Sequence, residues 1–129
     1  MNRWEKALLV FTTIPHLCIL PLSPFPLYSV LVFTSTSLSV AWHAIEGNQA
    51  STLALLDNGV GVAWGLTDLG LAWSTDAFLP VLTLNASIFL LNIYVNYLDK
   101  RHEYPYSFGH SLWHILSVLK CIWVVHLLS

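Results

Sequence analysis

Long apolar runs, separated only by short polar or proline-containing breaks, constrain this chain more than any other feature of its sequence. A bilayer core about 30 Å thick is crossed by about 20 residues of helix, and within it a helix satisfies every backbone polar group internally. Five runs approach that length: residues 4–20, 27–45, 52–73, 78–98 and 107–128, with Pro21, Pro24 and Pro26 dividing the first from the second. The pattern predicts an all-α, multi-pass integral membrane bundle of about five transmembrane helices, forming one domain over residues 1–129. Composition agrees: 56% of the chain is hydrophobic and 9% charged, against about 25% charged in soluble domains. A water-soluble globule and a disordered chain are both excluded on that ground.

Charge placement tests the first run, which is short, carries Pro15 and His16, and also resembles a signal peptide behind Arg3 and Lys6. Basic residues in short loops favour the cytoplasmic or equivalent face. With five spans Arg3, Lys6, Lys100 and Arg101 all fall on one face, whereas four spans would split them. The expectation is therefore five helices, with the N-terminus and the 99–106 loop both inside. With only 5 Lys and Arg and a net charge of −2, there is no basic patch for nucleic acid. Cys18 and Cys121 lack the spacing of a disulfide framework or a zinc knuckle.

Ionisable groups inside spans cost about 2.5–3.5 kcal/mol on insertion scales, so each calls for a partner or a purpose. On the second run Ser35, Ser39 and His43 recur every four residues, on one helical face. Asp57 lies about one and a half turns into the third run, and His110 and His114 share a face in the first two turns of the fifth. Alternating direction brings Ser39, His43, Asp57, His110 and His114 to one depth, on the N-terminal face. Neutral imidazoles are zinc ligands, and three of them leave a fourth position open for water. In that arrangement His43, His110 and His114 would hold Zn²⁺, Asp57 would orient or deprotonate water, and Ser39 would donate to a developing oxyanion.

These residues resemble a known group. Ser39-Val-Ala-Trp-His43, Leu55-Leu56-Asp57 and His110-Ser-Leu-Trp-His114-Ile-Leu are similar to the S-x-x-x-H, Asp and H-x-x-x-H motifs of the CREST superfamily of membrane hydrolases, which includes alkaline ceramidases, progestin and adiponectin receptors and haemolysin III-like proteins. The resemblance implies zinc on the three histidines, a water associated with Asp57 and Ser39, and hydrolysis of a lipid amide such as ceramide. Members usually have seven spans. Here one helix, rather than three, separates the Asp-bearing run from the H-x-x-x-H run, which leaves the direction of the last helix unchanged. The competing expectation is a non-catalytic small subunit held among partner membrane subunits, its histidines binding pigment or haem or only hydrogen-bonding.

Other positions carry simpler expectations. Asn85, Asn92 and Asn96 form a stripe suited to interhelical hydrogen bonds, and Gly61-x-x-x-Gly65 permits close helix approach. Trp4, Trp73, Tyr28, Tyr97, Tyr104 and Tyr106 fall near run ends, as an interfacial aromatic belt would. His102 and His126 read as interfacial and His16 as a packing residue. Lys120 and Asp68 lie at about 20 and 24 Å from the inner face, so their depths overlap and they can pair, with Asn85 as a third partner.

Overall fold

A computed structural model of the chain describes residues 1–46, 51–101 and 106–129. His102 and Tyr104 of the sequence reading lie outside them. Five α-helices account for the architecture: α1 (Arg3–Thr13), α2 (Pro26–Ala41), α3 (Thr52–Ala72), α4 (Phe78–Lys100) and α5 (Tyr106–Leu128). No strand occurs among the described residues.

Local chemistry sets the helix ends. Asn2 caps α1 in a reciprocal box, its Oδ1 accepting from Glu5 N at 2.9 Å while Asn2 N donates to Glu5 Oε2 at 2.6 Å. Pro26 opens α2, where its missing N–H is no loss. Ser51 caps α3 through Ala54 N at 3.1 Å. The turn after α3 is closed by Ser74 at φ 64°, a left-handed conformation that stops the helix and that a glycine would adopt without a Cβ penalty.

Two segments depart from continuous α-helix. The first apolar run becomes α1 followed by a 3-10 turn, Ile14–Ile19, because Pro15 cannot donate to the preceding turn. Its length suffers little, since a 3-10 turn rises about 2.0 Å per residue against about 1.5 Å for the α-helix. The second run ends in a π-turn, Trp42–Glu46, which contains His43.

The helices form a closed ring in which each packs on the next in sequence and α5 returns to α1. The α1–α5 contact is parallel: Glu5 meets Ser107, and Thr12, seven residues on, meets His114, also seven residues on. The α4–α5 contact is antiparallel, pairing Val95 with Gly109, Ile88 with Trp113 and Asn85 with Lys120. Gly109 is needed there, because a Cβ would stand 2.8 Å from Val95 Cγ1. Gly65 admits Asn85 in the same way at 3.3 Å, whereas a Cβ on Gly61 would meet nothing within 4 Å. Of the two glycines read as an approach motif, only Gly65 makes one.

Apolar packing is concentrated away from the N-terminal end. Ile19, Tyr28, Val32, Trp64, Cys121 and Val125 form one cluster, and Ala72, Val81 and Val124 another. The inward face of α5 is otherwise small and polar, with Ser107, His110, Ser111, His114, Ser117 and Lys120 all buried. Large apolar side chains such as Phe33, Leu79, Leu90 and Leu119 face outward. Two helices, over Phe78–Asp99 and Tyr106–Leu128, are long and apolar enough to cross a membrane.

The aromatic-belt expectation needs correcting at Tyr28, which is 1% exposed inside the core. Tyr106 likewise turns inward and stacks on His110, with ring centroids 4.7 Å apart. Trp4, Trp73 and Tyr97 are exposed as expected. Position near the end of a run fixes depth, but helix phase decides whether a ring meets a neighbour.

Candidate metal centre

Three histidines from two helical segments meet inside the ring. The π-turn carries His43 inward, and α5 presents His110 and His114 one turn apart. Ring centroids are 5.2 Å apart for His43–His110, 5.3 Å for His43–His114 and 4.6 Å for His110–His114. One nitrogen from each lies within 4.8 Å of the other two, so the three could hold a metal ion. All are buried, at 0%, 5% and 1% exposure.

Hydrogen bonding separates the roles of these rings. Both nitrogens of His43 and both of His110 are buried without a partner among the described residues. An unpaired buried polar group costs about 1–3 kcal/mol. One nitrogen of each ring can meet a shared ligand, which gives these buried groups a reason beyond packing. Trp42 stacks on His43 at 4.5 Å and Trp113 on His110 at 5.2 Å, which holds the ring planes while leaving the nitrogens free.

His114 is held differently. Its Nδ1 lies 3.1 Å from both Thr12 Oγ1 and Thr13 Oγ1. Thr12 donates its hydroxyl proton to Leu8 O at 2.9 Å, and Thr13 donates to Leu9 O at 2.7 Å. Each hydroxyl has one proton; where both give it to these carbonyls, both accept from an Nδ1–H of His114. In that tautomer Nε2, 3.4 Å from Thr13 Oγ1, keeps its lone pair. A metal-ligating histidine has its second ring nitrogen fixed by a hydrogen bond of this kind. Sequence reading missed Thr12 and Thr13. Adjacent hydroxyls in an apolar helix were the available signal, but nothing in the sequence shows that α1 lies beside α5.

Asp57 and Ser39 come to the same place. Ser39 is buried on α2, and its hydroxyl is in hydrogen-bonding range of the half-buried Asp57 carboxyl group on α3. Both border a cavity of about 560 Å³ that also reaches His110 and His114, a size typical of small-ligand sites. A second cavity of about 70 Å³, lined by Trp42, Asn58, Asn92, Asn96 and Tyr106, reaches His110. Its volume suits about two waters.

The Lys120–Asp68 pair forms as expected. Lys120 Nζ donates to Asp68 Oδ2 at 2.7 Å and to Asn85 Oδ1 at 3.3 Å, with side chains 7% and 0% exposed for the charged pair. Asn92 and Asn96 bond to each other within α4, at 3.3 Å. His16 is buried as a packing residue, 5.7 Å from Trp64 and 6.2 Å from His114 between ring centroids, and His126 is exposed. Compared with known proteins, the chain matches no family model, no curated protein and no solved structure.

Proposed function

We propose that this chain is a five-span membrane hydrolase that holds zinc through His43, His110 and His114 and cleaves a lipid amide or ester, as its resemblance to the CREST motifs implies. The observation that carries the reading is the convergence of His43, His110 and His114, one nitrogen of each within 4.8 Å of the other two, with both nitrogens of His43 and of His110 buried and partnerless among the described residues.

Burial supports the membrane setting. The α4 segment has a mean hydropathy of 1.8, yet only 11% of that window is buried. A helix so apolar and so uncovered is solvated by hydrocarbon or by other protein, while the bundle keeps its polar side chains inside. The α1 segment with its 3-10 turn approaches bilayer thickness at the rises given above, and α2 and α3 are 16 and 21 residues long.

The donor set, three neutral imidazoles, fits zinc. A zinc ion there would polarise a carbonyl and render water nucleophilic at neutral pH. Asp57, on the cavity wall, would take the proton from that water and return it to the departing amine or alcohol. Ser39 would hold the Asp57 carboxylate in place, and its hydroxyl could turn to the oxyanion once Asp57 is protonated. Thr12 and Thr13 would keep His114 in its ligating tautomer. The small polar cavity beside His110 would resupply water, and Val62, Leu66 and Phe89 would receive hydrocarbon.

The test is metal analysis with a hydrolysis assay on the purified, detergent-solubilised chain. About one zinc per chain, lost in His114→Ala, with fatty acid released from a ceramide-type amide, is the expected result. Absence of metal together with tightly co-purifying membrane proteins, or with bound pigment or haem, would overturn it in favour of a structural subunit.

A further inference from the structure

The cavity continues past the histidines to a second group of polar side chains that hydrolysis does not use. Lys120 lies six residues beyond His114 on α5, about 9 Å along the axis. Lys120 and Asn85 both border the cavity, as do His16 and Trp64. An ion pair serving only to join helices is best sealed between them. A charge on the wall of an intramembrane cavity is the more expensive arrangement, and such residues mark ligand pathways.

The hydrogen bonds here leave a donor and an acceptor uncommitted. Asn85 Nδ2 donates to Val81 O at 3.1 Å and Asn85 Oδ1 accepts from Lys120. An amide has two N–H donors, so one remains without a partner among the described residues. His16 Nδ1 lies 2.9 Å from Thr13 O. A carbonyl only accepts, so Nδ1 carries the proton and Nε2 keeps its lone pair as an acceptor. Trp64 lies between the two polar side chains, its ring centroid 5.7 Å from that of His16 and 5.4 Å from Lys120 Nζ. The adjoining wall is apolar, with Leu69 and Leu82.

We propose that this stretch of wall is a hydroxyl-binding subsite, which selects amphiphiles bearing an alcohol part-way along an otherwise hydrocarbon chain. A hydroxyl both donates and accepts, and so matches the His16 acceptor together with the Asn85 and Lys120 donors. A plain alkyl chain would leave those groups unpaired. The inference rests on the proposed function only for which end of the ligand meets the histidines.

Binding decides it. The full chain in detergent, both chelator-treated and zinc-supplemented, is titrated with octadecanoic acid and with a positional series of hydroxyoctadecanoic acids, by displacement of a fluorescent fatty acid. The expected result is about tenfold tighter binding for the isomer whose hydroxyl lies about 9 Å from the carboxyl carbon. Asn85→Leu, which leaves the Lys120–Asp68 pair intact, should lower that preference by at least about threefold. His16→Phe provides a second variant should Asn85→Leu fold poorly, with the same expected loss. Equal affinities across the series in the unmodified chain, or a preference unchanged in both variants, would overturn the subsite. Because the preference is read without metal or turnover, it can fail while hydrolysis stands, or hold where zinc and hydrolysis are absent.

Discussion

Thr13 and His114, 101 positions apart, meet through one hydroxyl: Thr13 Oγ1 lies 2.7 Å from Leu9 O and 3.1 Å from His114 Nδ1, so that a proton given to the carbonyl leaves the hydroxyl to accept from Nδ1. The contact holds the His114 ring beside the other two imidazoles, at centroid distances of 5.3 Å from His43 and 4.6 Å from His110. Removing the acceptors should therefore weaken metal binding without touching a ligand. Thr12→Val/Thr13→Val is expected to lose about 10- to 100-fold in zinc affinity, read by competition with a chromogenic chelator. Serine at both positions should restore it. An affinity equal to that of the unmodified chain would separate the threonines from the site.

Asp57 and His110 border the same cavity but are assigned different work. Asp57→Asn should reduce lipid amide hydrolysis by at least about 100-fold, the scale of general acid–base catalysis, with zinc content retained. His110→Ala should lose zinc and turnover together. Zinc lost equally from both variants would place Asp57 among the ligands.

The Lys120–Asp68 pair is buried on both sides. Lys120→Met leaves a carboxylate unpaired, at an expected cost of about 3–5 kcal/mol. Asp68→Leu added to it should recover most of that loss, because an apolar pair of similar volume needs no partner. Unfolding in mixed micelles measures both. Equal stability of Lys120→Met and the unmodified chain would show that the pair contributes nothing.

At Gly109 the α4 and α5 backbones come close, a Cβ there standing 2.8 Å from Val95 Cγ1. Gly109→Ala should cost about 1–3 kcal/mol through overpacking and weaken zinc binding by displacing the adjacent His110. Val95→Ala in the same chain should relieve both effects. A double variant no more stable than Gly109→Ala would point to a cause other than this contact.

Much of this architecture can be read along the chain. Apolar run length and the breaks at Pro21–Pro26 mark out the helices, because each satisfies its own backbone and needs no neighbour to exist. Alternating direction then converts residue number into depth, which is why the meeting of His43, His110 and His114, and that of Lys120 with Asp68, could be expected from order and spacing. Depth does not supply rotation about the helix axis. Tyr28 and Tyr106 sit near run ends as a belt would, yet both turn inward, and Gly61 meets open space while Gly65 receives Asn85.

The remaining features were decided by ring closure. Once α5 returns to lie parallel with α1, Thr12 and Thr13 reach His114, and the π-turn at Trp42–Glu46 brings His43 to the other two rings. Local pattern reports what each helix carries and how deep. Which neighbour fills the space beside a side chain depends on packing among segments 100 residues apart, and that packing sets the hydroxyls beside His114, the cavity beside Asp57 and the polar wall at Asn85.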